Sequence, residues 1–199
     1  DPRLTITSAP ANARTHTLRA MHDAIMVGIG TAQADDPLMT VRAPGLEDRK
    51  PLRVVLDAKL ALSPRSRLAT SAREAPVLVL SDAKADAARA GILRDAGVEL
   101  APVTLGSDGR VEIRSGLAAL AQRGITRVFS EGGPRVGAQL IAQGLADEVV
   151  IFTAPKPHGR GVQALSKEAR ALLADPRRYA LVEDTKIGVD RMRRYERVL

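Results

Sequence analysis

One feature constrains the fold more than any other: short runs rich in Val, Leu and Ile alternate with stretches of helical spacing that stop at a glycine. Arg53-Val-Val-Leu-Asp57 and Pro76-Val-Leu-Val-Leu80 read as strands buried on both faces. From Asp82 to Ala96 apolar residues recur at helical spacing, Gly97 stands where a helix C-cap belongs, and Val98 to Val103 follows as a strand. The cycle repeats with a helix from Leu117 to Arg123, a strand from Thr126 to Ser130, a helix from Arg135 to Gln143 and a strand from Asp147 to Thr153. At the other end, Ser8 and Pro10 mark the start of a helix running to His22. Ala24 to Val27 is then a strand that ends in a loop at Gly28 and Gly30. Tyr179 to Glu183 and Arg191 to Val198 alternate apolar and polar residues, the pattern of an antiparallel pair at a sheet edge. The class is therefore α/β, with a mostly parallel, twisted, mixed sheet flanked by helices. Ala43 to Lys50 and Pro155 to Gly161 read as surface loops.

The 199 residues suit one domain spanning 1–199. Two Phe, two Tyr and no Trp leave a core of aliphatic side chains. The absence of cysteine excludes disulfides and thiolate metal sites, and a cytoplasmic protein is the simplest expectation. No apolar run approaches a membrane span. The net charge of +7 fits either an anionic ligand or an Arg-rich solvated surface. Nucleic acid is disfavoured, because the basic residues are spread along the chain and few aromatics are present to stack on bases. His16, His22 and His158 lack metal-ligand spacing, so no metal is expected.

Phe129-Ser-Glu-Gly-Gly-Pro134-Arg-Val-Gly137 carries the strongest local signal. A strand enters a glycine pair and a helix starts at once, which lets backbone N–H groups and the positive end of the helix dipole approach a phosphate. The plainer reading is a tight turn, and spacing alone leaves the two about equal. Glu131 lies at the carboxyl end of that strand, where open α/β sheets bind ligands, and its carboxylate can accept from a pyrimidine's N–H groups. It can equally serve as a helix-start carboxylate. The second cluster runs from Val27-Gly-Ile-Gly-Thr31 through Ala34-Asp-Asp-Pro37 to Leu38-Met-Thr-Val-Arg42. Asp36 is best read as a turn residue before proline. Arg19 and Arg42 flank the cluster and suit a phosphate, although any one Arg among so many is more often solvated surface.

In this order and spacing these segments resemble the reductase domain of the bifunctional riboflavin biosynthesis protein. Ile6-Thr-Ser8, Leu18-Arg-Ala20, Asp23 to Thr31, Pro51 to Asp57, Gly144-Leu-Ala-Asp-Glu148 and Ala154-Pro-Lys156 extend the likeness over most of the chain. The resemblance implies a dihydrofolate-reductase-like fold, with NADPH reducing 5-amino-6-(5-phosphoribosylamino)uracil to its phosphoribitylamino product. It puts the substrate phosphate on Arg19 and Arg42 and the pyrimidine on Glu131, with Met39 a further substrate contact. Cofactor contacts fall on Thr5, Thr31, Asp35, Ala58 and the run Gly133, Pro134, Arg135, Val136, Gly137, Ala138 and Gln139. Thr5 and Ala58 depart from the family's usual Trp and Ser. Asp35 is the candidate for proton transfer during ring opening. The family's opening strand and its zinc-binding deaminase half have no counterpart in these residues, so deamination is not expected of them. Alternatives are a reductase acting on the diaminopyrimidinone before deamination, a dihydrofolate reductase proper, which the Arg19, Arg42 and Glu131 set disfavours, and a non-catalytic nucleotide-binding module. A homodimer is the expected assembly.

Overall fold

The computed structural model describes residues 6–156, 161 and 163–199. Five parallel strands, β1 (Ala24–Gly28), β2 (Leu52–Leu56), β3 (Val77–Ser81), β4 (Glu99–Pro102) and β5 (Val128–Ser130), form one sheet in the order β4-β3-β2-β1-β5. Around them lie α1 (Ala9–Ala20), α2 (Ile29–Asp35), α3 (Arg67–Thr70), α4 (Ala87–Asp95), α5 (Ile113–Ala121) and α6 (Pro134–Ala142).

The two-residue strand period divides the core. Ile25, Val27, Val55, Val77 and Val79 pack on one face with Leu68 and Leu93. Their neighbours Ala24, Met26, Val54, Leu56, Leu78 and Leu80 pack on the other with Ile113 and Leu120. Both faces are therefore dry, which is why these strands read as continuous apolar runs. Each fully buried Val or Leu contributes about 1.5–3 kcal/mol relative to exposure. Gly97 follows α4 with φ +94, a left-handed conformation that glycine adopts without steric cost.

The antiparallel pair is present and has a third member. After α6 come β6 (Glu148–Thr153), α7 (Lys167–Ala174), β7 (Tyr179–Ile187) and β8 (Asp190–Arg197), and the strands form a separate sheet in the order β6-β8-β7. β6 is thus antiparallel to β8, not a further parallel strand. Amphipathic α6 joins the two regions. Val136 and Leu140 pack under the parallel sheet, while Ala138 and Ile141 pack with Ala169, Leu173 and Tyr179.

One local reading is corrected and another gains a partner. Gly28 and Gly30 do not form a loop: Gly28 is the N-cap of α2, which starts on the next residue. Ser8 does occupy the N-cap of α1, but its hydroxyl makes no capping bond. Its N–H and hydroxyl both donate to the buried Asp190 carboxylate at 2.7 Å, tying α1 to the start of β8.

Candidate active site

Three neighbouring strands of the parallel sheet deliver candidate residues at their carboxyl ends, the edge at which open α/β sheets bind ligands. β2 leads to Ala58, β1 into α2 with Thr31, and β5 into Glu131-Gly-Gly-Pro134 and α6. The β1 and β5 turns touch: the Gly133 N–H donates to the Thr31 hydroxyl at 3.1 Å. A Cβ on Gly132 would lie 2.6 Å from the Cβ of Val136, so only glycine lets the turn fold down onto α6. A Cβ on Gly133 would come within 3.0 Å of the Thr31 hydroxyl.

The α6 residues then divide by direction. Val136 and Ala138 spend their side chains on the two cores, so they meet a ligand only through backbone. Arg135 is exposed, and Gly137 and Gln139 are partly buried on the same helix. Pro134 occupies the first helical position, where its missing N–H removes no bond. Thr5 lies outside the described residues.

The substrate candidates meet in a different way from two separate contacts. Arg19 and Glu131, 112 positions apart, form a bidentate ion pair, Nε to Oε1 at 2.5 Å and Nη2 to Oε2 at 2.6 Å. Arg19 Nη1 also donates to the Thr40 carbonyl at 2.9 Å. The side chains retain only 12% and 22% exposure, so the pair is held well below solvent screening of a surface bridge. The fork of Arg19 is thus directed at Glu131 and at the loop carrying Met39 and Arg42.

That loop borders a cavity of about 390 Å³ lined by Arg19, Asp35, Leu38, Met39, Arg42 and Arg67, among others. Met39 has φ +53 and is buried, packing in the core beneath the cavity. Asp36, in the left-handed conformation as the C-cap of α2 before Pro37, accepts the Arg67 N–H at 2.8 Å. Burial, then the charges of Arg19 and Arg67, hold the Arg42 guanidinium below its ordinary value, opposed by Glu131. His16 is likewise held below its usual value by burial, then by Arg19 and Arg42, and its Nδ1 accepts the Arg42 N–H at 3.1 Å. Three guanidiniums, those of Arg19, Arg42 and Arg67, thus border the cavity beside the Asp35 carboxylate and the Glu131 carboxylate paired with Arg19.

Sequence reasoning missed two arginines. Arg67 stood among many exposed arginines without a motif. Arg53 was read only as the head of a strand, yet it is fully buried and donates to the Leu38 carbonyl and to Ser71 and Ala75, bracing the loop from behind. An Arg opening a run of buried-strand residues was the available signal.

No group of three or more His, Cys, Asp or Glu suited to a metal occurs among the described residues, and no helix among them is long and apolar enough to cross a membrane.

The chain is similar to known proteins over most of its length. The family model described as RibD C-terminal domain matches residues 1–187. The riboflavin biosynthesis protein RibD of Bacillus amyloliquefaciens is 32% identical over 187 residues, 93% of this chain and 49% of that protein. The 2,5-diamino-6-ribosylamino-4(3H)-pyrimidinone 5′-phosphate reductase of Methanothermobacter thermautotrophicus is 34% identical over 180 residues, 89% of this chain and 81% of that protein. The structure of Acinetobacter baumannii RibD superposes with a TM-score of 0.77 at 22% identity, over 99% of this chain and 53% of that one, a likeness of fold. The chain spans about half the length of the RibD relatives it matches.

Proposed function

The chain belongs to the RibD C-terminal domain family, and from that premise we propose that it is the NADPH-dependent reductase of riboflavin biosynthesis acting on 5-amino-6-(5-phosphoribosylamino)uracil. The observation that carries the reading is the convergence of Arg19, Glu131 and Arg42 with the Gly133–Thr31 turn at one edge of the sheet. The turn suits a dinucleotide: its glycines keep side chains out of the space before α6, and the first turn of that helix presents N–H groups without a side-chain cap. Thr31, Ala58 and the backbone from Gly133 to Gln139 would hold the cofactor, with Asp35 at the end of α2. When bound, NADPH supplies a hydride.

The chain's own residues do the rest. The cations bordering the cavity bind the substrate's phosphate, and Met39 shapes the cavity floor. Glu131, oriented by Arg19, faces the pyrimidine's donors. Opening the ribosylamine ring needs a proton at the ring oxygen, and Asp35, exposed beside the cavity, is the candidate to deliver it. Holding sugar C1′ at near-attack distance is the main catalytic task. The assembly in this reading is a cytoplasmic homodimer, tested by light scattering of the eluted protein.

The Methanothermobacter relative, named for the diaminopyrimidinone phosphate, matches at an identity similar to that of the RibD relative, so that compound is the second substrate to assay. NADPH oxidation followed optically with each compound separates them. Turnover of the uracil form, lost in Glu131→Gln, supports the proposal; turnover of the diamino form alone reassigns the substrate, and NADPH binding without turnover of either refutes the reductase reading.

A further inference from the structure

The loop that carries Met39 and Arg42 lies against α1 through two kinds of contact. Val41 and Ala43 are buried with Ala20 of α1 in a small apolar cluster. Thr40 and Arg42 alternate with them, and their backbone polar groups meet side chains of α1. Arg19 Nη1 donates to the Thr40 carbonyl at 2.9 Å, and the Arg42 N–H donates to His16 Nδ1 at 3.1 Å. His16 and Arg19 stand three positions apart and so share one face of the helix. The apolar contacts are non-directional, so the two hydrogen bonds set the register of this end of the loop.

His16 accepts at Nδ1 only while its ring is neutral, and the bond from Arg42 then puts the ring proton on Nε2. The half-buried ring is exposed to the charges of Arg19 on its own helix, Arg42 on the loop and Glu131 at the end of β5. Burial and the two guanidiniums favour the neutral form and outweigh the Thr40 carbonyl and Glu131, which favour the charged one. A proton on Nδ1 would face the Arg42 N–H, donor against donor, and the bond would be lost.

Resting on the reductase reading, we propose that His16 is a positioning residue for substrate binding: its neutral ring holds the backbone of Arg42 through Nδ1, and with it the guanidinium that borders the cavity. The 3.3 Å contact of Arg42 Nη1 with the Thr40 hydroxyl stays within the loop, so it moves with the loop and does not tie it to the fold.

The experiment compares the wild-type chain with His16→Asn, which keeps an acceptor near the Nδ1 position and does not titrate, and with His16→Leu, which fills the space without one. At about pH 8, His16→Leu raises KM for the phosphorylated substrate about 3- to 10-fold, the loss expected for one neutral hydrogen bond, with kcat and KM for NADPH unchanged. His16→Asn keeps the wild-type KM. As pH falls below about 6.5, the wild-type KM rises relative to that of His16→Asn; the substrate phosphate's own ionisation at about pH 6 is common to both and drops out of the ratio. An added cation alone would tighten the hold on an anionic substrate, so a ratio that falls or stays flat overturns the proposal, as does a His16→Leu KM equal to wild type. Nitrogen-15 NMR reads the bond without turnover, through the scalar coupling between the Arg42 amide nitrogen and His16 Nδ1. Its absence at about pH 8 overturns the proposal even if the chain reduces neither pyrimidine. Where the coupling is present and the wild type turns over neither compound, only the reductase reading fails, and calorimetric affinity for the phosphorylated pyrimidine takes the place of KM in the same comparison.

Discussion

Replacing Arg53 with Met gives the sharpest test of how the site loop is held. The guanidinium is 0% exposed, and its Nη atoms donate to the Leu38 carbonyl at 2.9 Å, the Ser71 hydroxyl at 2.8 Å, the Ser71 carbonyl at 3.0 Å and the Ala75 carbonyl. Burial brings its pKa down to about 10, so the side chain still carries its charge at neutral pH. Hydrogen bonds from a charged donor contribute about 1.5–3 kcal/mol each, and dehydrating the cation costs several kcal/mol. Met restores the apolar contacts and removes the dehydration cost, but leaves three carbonyls and a hydroxyl without their donor, each costing about 1–3 kcal/mol. The net loss is about 3–5 kcal/mol, as when one member of a buried charged set is deleted. At this chain length that lowers Tm by about 6–20 °C. Urea denaturation followed by circular dichroism reads the free energy directly. Because Leu38 precedes Met39 on the cavity wall, KM for substrate should rise in the same variant. A loss below about 1 kcal/mol would refute the reasoning, since it would mean that these acceptors find other partners at little cost.

Other expectations follow from the same contacts. Gly132→Ala puts a Cβ against Val136, so it should cost about 1–3 kcal/mol by overpacking and weaken NADPH binding, measured by thermal denaturation with and without cofactor. His16 has a folded pKa below its unfolded value of about 6.5, so the unfolded chain takes up the proton first. Stability contributed by neutral His16 is present above that value and declines as pH falls toward the folded pKa; His16→Gln should flatten the stability profile there. Asp23 accepts from the Thr126 and Arg127 N–H groups and the Thr126 hydroxyl, bonds that hold its carboxyl below the usual carboxylate range. Its contribution is present above about 3.9 and lost as pH falls through the lower folded value, and Asp23→Asn should remove that component of acid sensitivity. Asp35→Asn should lower kcat and alter its pH dependence; full turnover with an unchanged profile would remove Asp35 from the proton-transfer role.

Periodicity made the parallel strands legible because both faces of that sheet are covered, so Val54 and Val55 are equally apolar though they enter different cores. The α6 turn was legible because Gly132, Gly133 and Pro134 answer a local steric demand. Where local signals compete, the reading failed. Gly28 and Gly30 suggested a loop, but tertiary contact of Ala32 with the core lets α2 start immediately after β1. α7 was passed over, although Ser166 caps it by accepting the Ala169 N–H at 3.1 Å and Glu168 stands in its first turn. α3 is only four residues long, too short for a periodic pattern. The Arg19–Glu131 pair was out of reach for another reason: the two residues meet across 112 positions, and nothing in their local surroundings encodes the choice of partner.

The destination of the hydride defines the reaction. NADPH deuterated at nicotinamide C4, incubated with the phosphoribosylaminouracil, tests it by mass spectrometry of the product. The expected product carries one deuterium on C1′ of a ribityl chain, from one prochiral face of the label, and is lost in Glu131→Gln. Deuterium on the pyrimidine ring, or a product with no label, would contradict it.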